Sequence, residues 1–183
     1  NDMFYLDRKS PKERKRVMNT FKECVRRQLY LNGGGKAHLS KNPVYCGRVA
    51  SILETFPDAR IVVNMRDPME CVPSNLKLME GNYQGKGWTE PDYAESLAVL
   101  EKMSYACFHM PRDVLQKNPQ TPSMVVDYRD LVSQPKDTIV KLYDALGLPL
   151  TKQYTKILDQ RDSNSKPHQT KHSYSAEEFG MDV

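Results

Sequence analysis

Residues 56–68 read FPDARIVVNMRDP and decide the fold. The run over 60–65 is short, mostly apolar and rich in β-branched side chains, which is typical of a buried parallel strand. Apolar residues recur at helical spacing over 44–56, and Pro57 ends that predicted helix. Another helix is expected over 68–80. A strand between two helices indicates the α/β class.

The same alternation continues in both directions from this stretch. A strand is predicted over 123–128 and a short strand over 37–40. Further helices are predicted over 11–30, 92–116, 136–146 and 152–162. Because strands that alternate with helices form parallel sheets, we expect a three-layer α/β/α fold with a parallel sheet.

The chain length of 183 residues corresponds to about one domain. We therefore expect a single domain over 1–183, with 163–183 as a polar C-terminal segment of that domain. Residues 81–91 are polar and Gly-rich and contain the single tryptophan, Trp88. This loop either covers a binding pocket or serves as an anchored connection.

The composition excludes several classes of protein. The chain has 27 Lys and Arg against 23 Asp and Glu, a net charge of +4. Its apolar runs stay well short of the roughly 18 residues that a transmembrane helix needs. The four cysteines are scattered without a CxxC pair, which argues against a zinc site and against a disulfide-rich scaffold. A reducing compartment is the default expectation.

The first forty residues are strongly basic. They contain ten Lys and Arg residues against four Asp and Glu residues. One interpretation is an arm that binds nucleic acid. The other is the solvated face of an amphipathic helix, and we favour it because apolar residues from Val17 to Leu29 recur at helical spacing.

One pattern occurs twice, as Lys-Asn-Pro at 41–43 and as Arg-Asp-Pro at 66–68. In each, a cation ends a predicted strand, Asn or Asp suits the helix N-cap, and Pro suits the first helical position. Ligands of parallel sheets bind beyond the carboxyl ends of the strands, where helix N-termini offer free N–H groups and partial positive charge. The pattern predicts a site for a polyanion, most simply a nucleotide. Ser74 lies eight residues after Arg66, about two helical turns further on, and adds a hydroxyl to this site.

Several segments resemble the sulfotransferases that use 3′-phosphoadenosine 5′-phosphosulfate (PAPS). The more specific segments are FPDARIV at 56–62, RDP at 66–68 and Pro-Ser at 73–74, and HLSKNP at 38–43 with Arg48 is supporting. Supporting similarity lies over 127–148 and 171–180, so the resemblance covers roughly residues 36–180.

The resemblance implies a P-loop NTPase-like fold and the transfer of a sulfuryl group from PAPS to a hydroxyl or amine acceptor. It implies that Arg66 and Ser74 hold the 3′-phosphate of PAPS, and that Tyr128 lies near the adenosine. It places Lys41 beside the sulfate being transferred and Lys171 as a further cation for the 3′-phosphate. No metal is implied, and the general base stays unassigned.

The expected partners are the nucleotide co-substrate and an unidentified acceptor, with no nucleic acid. The expected compartment is the cytoplasm, with the Golgi lumen as the alternative. The family's 5′-phosphosulfate loop, of the type Pro-x-Ser-Gly-Thr, has no counterpart in the sequence, and neither does the strand before it. We interpret the chain as the C-terminal portion of a sulfotransferase. The alternative is an inactive remnant that binds a nucleotide or a partner.

Overall fold

The computed structural model describes residues 4–33, 35–163 and 179. The helices are α1 (Pro11–Leu31), α2 (Val49–Thr55), α3 (Pro68–Gln84), α4 (Glu90–Gln116), α5 (Tyr128–Ser133), α6 (Pro135–Ala145) and α7 (Lys152–Ser163). The strands are β1 (Ile61–Met65) and β2 (Ser123–Asp127), and short 3₁₀ helices span Leu6–Arg8 and Pro43–Arg48. No helix in the described part of the chain has the length and apolar character needed to cross a bilayer.

The two strands form a parallel pair, which confirms the predicted α/β class. Their register runs from Ile61 opposite Ser123 to Met65 opposite Asp127. Parallel neighbours need a long crossover, and α3 and α4 lie in the connection between these two strands. Val63 and Val126 are buried at the centre of the pair.

Two local predictions are wrong. The strand expected over 37–40 is absent, because these residues are exposed and pair with no strand in the described ranges. The helix expected over 44–56 is interrupted, since its first part is the 3₁₀ helix Pro43–Arg48 and α2 begins only at Val49. The buried Gly47 lies in the 3₁₀ helix against Phe4, and a Cβ at Gly47 would come within 2.1 Å of the Phe4 carbonyl oxygen.

The chain forms two compact units, and unit 1 comprises Asn1–Ala59 and Ala106–Pro119. The core of this unit contains apolar side chains from several elements, namely Phe4, Leu6, Met18, Val25 and Val49. Ser10 and Glu13 form a capping box at the start of α1. Asp7 caps α2 from outside that helix, because its carboxylate accepts from the backbone N–H groups of Ala50 at 2.9 Å and Ser51 at 2.8 Å.

Unit 2 comprises Arg60–Tyr105 and Gln120–Val183 and contains the sheet. Its core includes Val63, Val72, Leu76, Tyr93, Val126, Leu146 and Leu158. The turn between α3 and α4 is anchored by a stack of three rings, in which Tyr83 lies 5.2 Å from Trp88 and 5.5 Å from Tyr93, centroid to centroid. This stack favours the anchored connection over a pocket cover at Trp88.

Candidate functional site

The carboxyl end of β1 leads directly into α3. Arg66 is the first residue after the strand, and Asp67 is the N-cap of the helix. The Asp67 side chain accepts a hydrogen bond from the Met69 N–H at 2.9 Å, and Pro68 occupies the first helical position. In the first turn of α3, the Cys71 N–H also donates a hydrogen bond to the Asp67 carbonyl oxygen at 2.8 Å.

The carboxyl end of β2 brings Tyr128 beside Arg66. Met65 and Asp127 are register partners, so the residues that follow them are neighbours across the sheet edge. The Arg66 guanidinium carbon lies 5.1 Å from the centroid of the Tyr128 ring. This distance is within the range of a cation–π contact. Two residues predicted for the nucleotide site are therefore in contact.

A carboxylate accompanies Arg66 that sequence reasoning missed. Glu70 Oε2 accepts a hydrogen bond from Arg66 Nε at 3.0 Å, and the Glu70 side chain is 59% exposed. Glu70 and Ser74 are four residues apart in α3, so they lie on one face of the helix. The i, i+4 spacing of Arg66 and Glu70 was the available signal for this pair.

Two side chains near Arg66 have pKa values that differ from their ordinary values. Burial raises the pKa of the Cys71 thiol, and the positive charge of Arg66 partly opposes this rise. Hydrogen bonds from Arg129 lower the pKa of Asp127, the last residue of β2. That pair is bidentate, with Arg129 Nη2 2.9 Å from Asp127 Oδ2 and Nε 3.2 Å from Oδ1. The sheet edge thus carries two guanidinium groups, each of which is paired with a carboxylate.

The helix N-termini contribute less than the sequence predicts. At α3 the Asp67 side chain occupies the Met69 N–H. At the 3₁₀ helix the Asn42 side chain accepts from the Val44 N–H at 3.0 Å. Because these donors are already satisfied, an anion at the sheet edge would be held mainly by side chains.

The remaining predicted site residues are placed differently. Ser74 is half-buried in α3 of unit 2. Lys41 belongs to unit 1, where it is exposed in a segment without regular secondary structure and follows no described strand, contrary to the prediction. Lys171 lies outside the described residues. Among the residues that are described, no group of three His, Cys, Asp or Glu side chains is arranged to hold a metal ion.

Comparison with known proteins gives two findings. The family model described as "Sulfotransferase family" matches residues 4–152. Two curated relatives, from Mycobacterium bovis and Mycobacterium tuberculosis, are both named omega-hydroxy-beta-dihydromenaquinone-9 sulfotransferase Stf3. Each is 27% identical to the chain over 143 residues, which cover 73% of the chain and 36% of the relative. The chain thus spans about a third of the length of these relatives. No solved structure matches the chain.

Proposed function

Since this chain belongs to the sulfotransferase family, we propose that it transfers a sulfuryl group from PAPS to a hydroxyl or amine acceptor. The observation that carries the proposal is the contact between Arg66 and Tyr128 at the carboxyl edge of the parallel strands. Ligands of α/β sheets bind at such an edge. PAPS carries phosphate groups, and a guanidinium binds phosphate with two parallel hydrogen bonds.

Arg66 and Ser74 are proposed to hold the 3′-phosphate. Ser74 lies about 9 Å along the helix axis from Pro68, a distance that a long arginine side chain and a phosphate can bridge together. Glu70 lies on the same face of α3 as Ser74, and its carboxylate forms an ion pair with Arg66. A carboxylate paired with this guanidinium is consistent with an anion site. The proposed phosphate contacts would come from the residue that precedes the cap of α3 and from the second turn of that helix.

Tyr128 is proposed to serve the adenosine end of PAPS. Its ring supports the Arg66 guanidinium and is half-buried. A ring held in this way loses little conformational entropy when it packs against a nucleotide. Lys171 is proposed as an additional cation for the 3′-phosphate.

Lys41 is proposed to assist the transfer itself. Sulfuryl transfer is an in-line displacement that builds negative charge on the leaving phosphate and on the sulfuryl oxygens. By analogy with phosphoryl transfer, most of the rate acceleration comes from cations positioned at those oxygens. The exposed Lys41 ammonium has no competing carboxylate within five residues on either side in the sequence. It is therefore well suited to interact with a polyanionic donor.

The acceptor is proposed to carry a hydroxyl rather than an amine. The mycobacterial relatives are named as sulfotransferases of a hydroxy compound, omega-hydroxy-beta-dihydromenaquinone-9. The chain matches about a third of their length at 27% identity, so the proposal extends to the hydroxyl and not to that particular acceptor.

The first test is a calorimetric titration of the chain with adenosine 3′,5′-bisphosphate, with ADP as the comparison ligand. We expect selective binding of the 3′-phosphorylated nucleotide. Arg66→Ala removes a charge-assisted contact of about 1.5–3 kcal/mol and should weaken binding roughly ten- to hundred-fold. The matched control is Arg26→Ala, which removes an exposed arginine of α1 that pairs with Glu23.

Equal affinity for ADP, or an unchanged affinity in Arg66→Ala, would contradict the 3′-phosphate assignment. Transfer is then measured with radiolabelled PAPS and a panel of alcohols, phenols and amines. A chain that binds the bisphosphate but sulfates no acceptor, even when a segment with the 5′-phosphosulfate loop is supplied, would be the nucleotide-binding remnant instead.

A further inference from the structure

Two thiols meet inside unit 1. Cys46 lies in the 3₁₀ helix Pro43–Arg48, and Cys107 lies in the part of α4 that belongs to this unit. Cys107 Sγ donates a hydrogen bond to the Pro43 carbonyl oxygen at 3.8 Å, and Cys46 lies one turn further along the same 3₁₀ helix. Both are half-buried free cysteines.

The helix geometry explains why one thiol contacts both residues. In a 3₁₀ helix the carbonyl of one residue faces the N–H of the residue three further on, so a thiol at the Pro43 carbonyl lies beside Cys46. Cys107 approaches that side from α4. The contact joins positions far apart in sequence, and it is therefore a feature of the fold rather than of a local motif.

We propose that Cys46 and Cys107 form a reversible oxidation site, which a peroxide converts to an intramolecular disulfide. The first step is attack of the Cys46 thiolate on a peroxide oxygen, which gives a sulfenic acid and releases hydroxide. The Cys107 thiol then attacks the Cys46 sulfur and displaces water. The peroxide accepts two electrons in total, and a dithiol reductant returns them to the disulfide.

The environment favours Cys46 as the attacking thiol. When the Cys107 thiol turns its one proton from the Pro43 carbonyl to Cys46 Sγ, it lowers the pKa of Cys46, although burial opposes this effect. A thiolate is the reactive form towards peroxide, and a neighbouring thiol is what resolves a sulfenic acid to a disulfide. Cys71 differs in this respect, because burial raises its pKa.

Closure of the disulfide has a consequence that rests on the proposed function. It would link the 3₁₀ helix covalently to α4, and Lys41 precedes that helix by two residues. A cation in catalysis must be placed precisely, and a displacement of about 1 Å can cost a hundred-fold in rate. We therefore expect the oxidised chain to transfer sulfate more slowly than the reduced chain.

The test uses the whole chain with Cys24→Ser and Cys71→Ser, so that Cys46 and Cys107 are the cysteines that remain. Hydrogen peroxide should remove both titratable thiols, lower the intact mass by two hydrogen atoms and leave the chain monomeric on a non-reducing gel. Dithiothreitol should restore both thiols. In Cys107→Ser the oxidation should stop at a sulfenic acid that dimedone captures on Cys46. Should these variants fold poorly, peptide mapping of the peroxide-treated wild-type chain looks for the Cys46–Cys107 crosslink directly.

Persistence of both thiols, a gain of oxygen atoms without a crosslink, or crosslinks only between chains would overturn the proposal. These readouts need no nucleotide, so they are independent of the proposed function. If the reduced chain does not bind adenosine 3′,5′-bisphosphate, only the consequence for transfer is lost. If the disulfide forms and the transfer rate is unchanged, the link to Lys41 is wrong.

Discussion

The tripeptides Lys41-Asn42-Pro43 and Arg66-Asp67-Pro68 follow the same pattern, yet they form different structures. The second follows a five-residue strand and opens the 17-residue helix α3. The first follows an exposed segment without regular secondary structure and opens a six-residue 3₁₀ helix. In both, the middle residue caps the helix by accepting a backbone N–H two residues later.

This difference shows which structural features are determined by the tripeptide itself and which are determined by the rest of the fold. The cap is local, because a side-chain oxygen at the N-cap reaches a nearby N–H in either context. The strand is not local, because it needs a partner, and β1 has β2 while residues 37–40 pair with no described strand. The length of the helix follows from burial, since α3 presents the buried side chains of Val72 and Leu76 to its unit.

The largest expected effect is the loss of transfer rate in Lys41→Ala, and it distinguishes the role of Lys41 from that of Arg66. Lys41→Ala should lower the rate of sulfuryl transfer about 100- to 1,000-fold, as the loss of one group that stabilises developing charge does elsewhere. Its affinity for adenosine 3′,5′-bisphosphate should change little, whereas Arg66→Ala should mainly lose affinity. The measurement is a single-turnover transfer rate beside a calorimetric titration.

The matched control for Lys41 is Lys36→Ala, which removes another exposed lysine of the same irregular segment. Equal loss of rate in the two variants would assign the effect to general positive charge and not to Lys41.

Gly47→Ala should destabilise the 3₁₀ helix Pro43–Arg48, which contains Gly47. A Cβ at this position would lie 2.1 Å from the Phe4 carbonyl oxygen and 2.8 Å from the Phe4 carbonyl carbon, so the backbone must move. Overpacking of this kind costs about 1–3 kcal/mol of unfolding free energy. Urea denaturation measures the loss. The control is Gly81→Ala in α3, where a Cβ meets nothing within 4 Å and Ala is the better helix former. Equal destabilisation of both variants would contradict the steric explanation.

Much of the fold follows from local patterns. The helical spacing of apolar residues and the Ser10–Pro11 start predict α1, and the β-branched runs predict β1 and β2 within a residue. The short helix α5 was missed, because the predicted strand was extended through Tyr128, which is the first residue of that helix. The strand at 37–40 failed for another reason, since strand pairing is decided by distant residues.

The candidate site was partly predictable for a physical reason. Arg66 directly follows one predicted strand and Tyr128 ends another, and the parallel register makes them neighbours. No periodic pattern points to the contact between Cys46 and Cys107, because it joins two elements that only the fold brings together. The carboxylate of Glu70 was predictable from its spacing, but its pairing with Arg66 changes how the site is understood.

Removal of the two N-cap side chains should have a smaller effect, and it tests the same comparison of the two tripeptides. Asp67→Ala should lower the unfolding free energy by about 1 kcal/mol, the usual cost of a lost N-cap. Asn42→Ala should cost less, because the helix it caps has six residues and its first residue, Pro43, is exposed. Parallel thermal and urea denaturation of both variants measures the difference. Equal losses would mean that the cap contributes independently of the helix behind it.

Glu70→Gln should have the smallest effect, and its sign is informative. The substitution keeps the shape of the side chain but removes the carboxylate that now pairs with Arg66 at 3.0 Å. An exposed ion pair contributes about 0.2–1 kcal/mol, so removing this competing anion should raise the affinity for adenosine 3′,5′-bisphosphate up to about five-fold. Glu80→Gln is the control, because Glu80 pairs with Lys77 on the same helix. A loss of affinity in Glu70→Gln alone would mean that the carboxylate positions Arg66 for the phosphate. Arg66 would then depend on a residue of α3 for its orientation. The tripeptide Arg66-Asp67-Pro68 would supply only the helix cap.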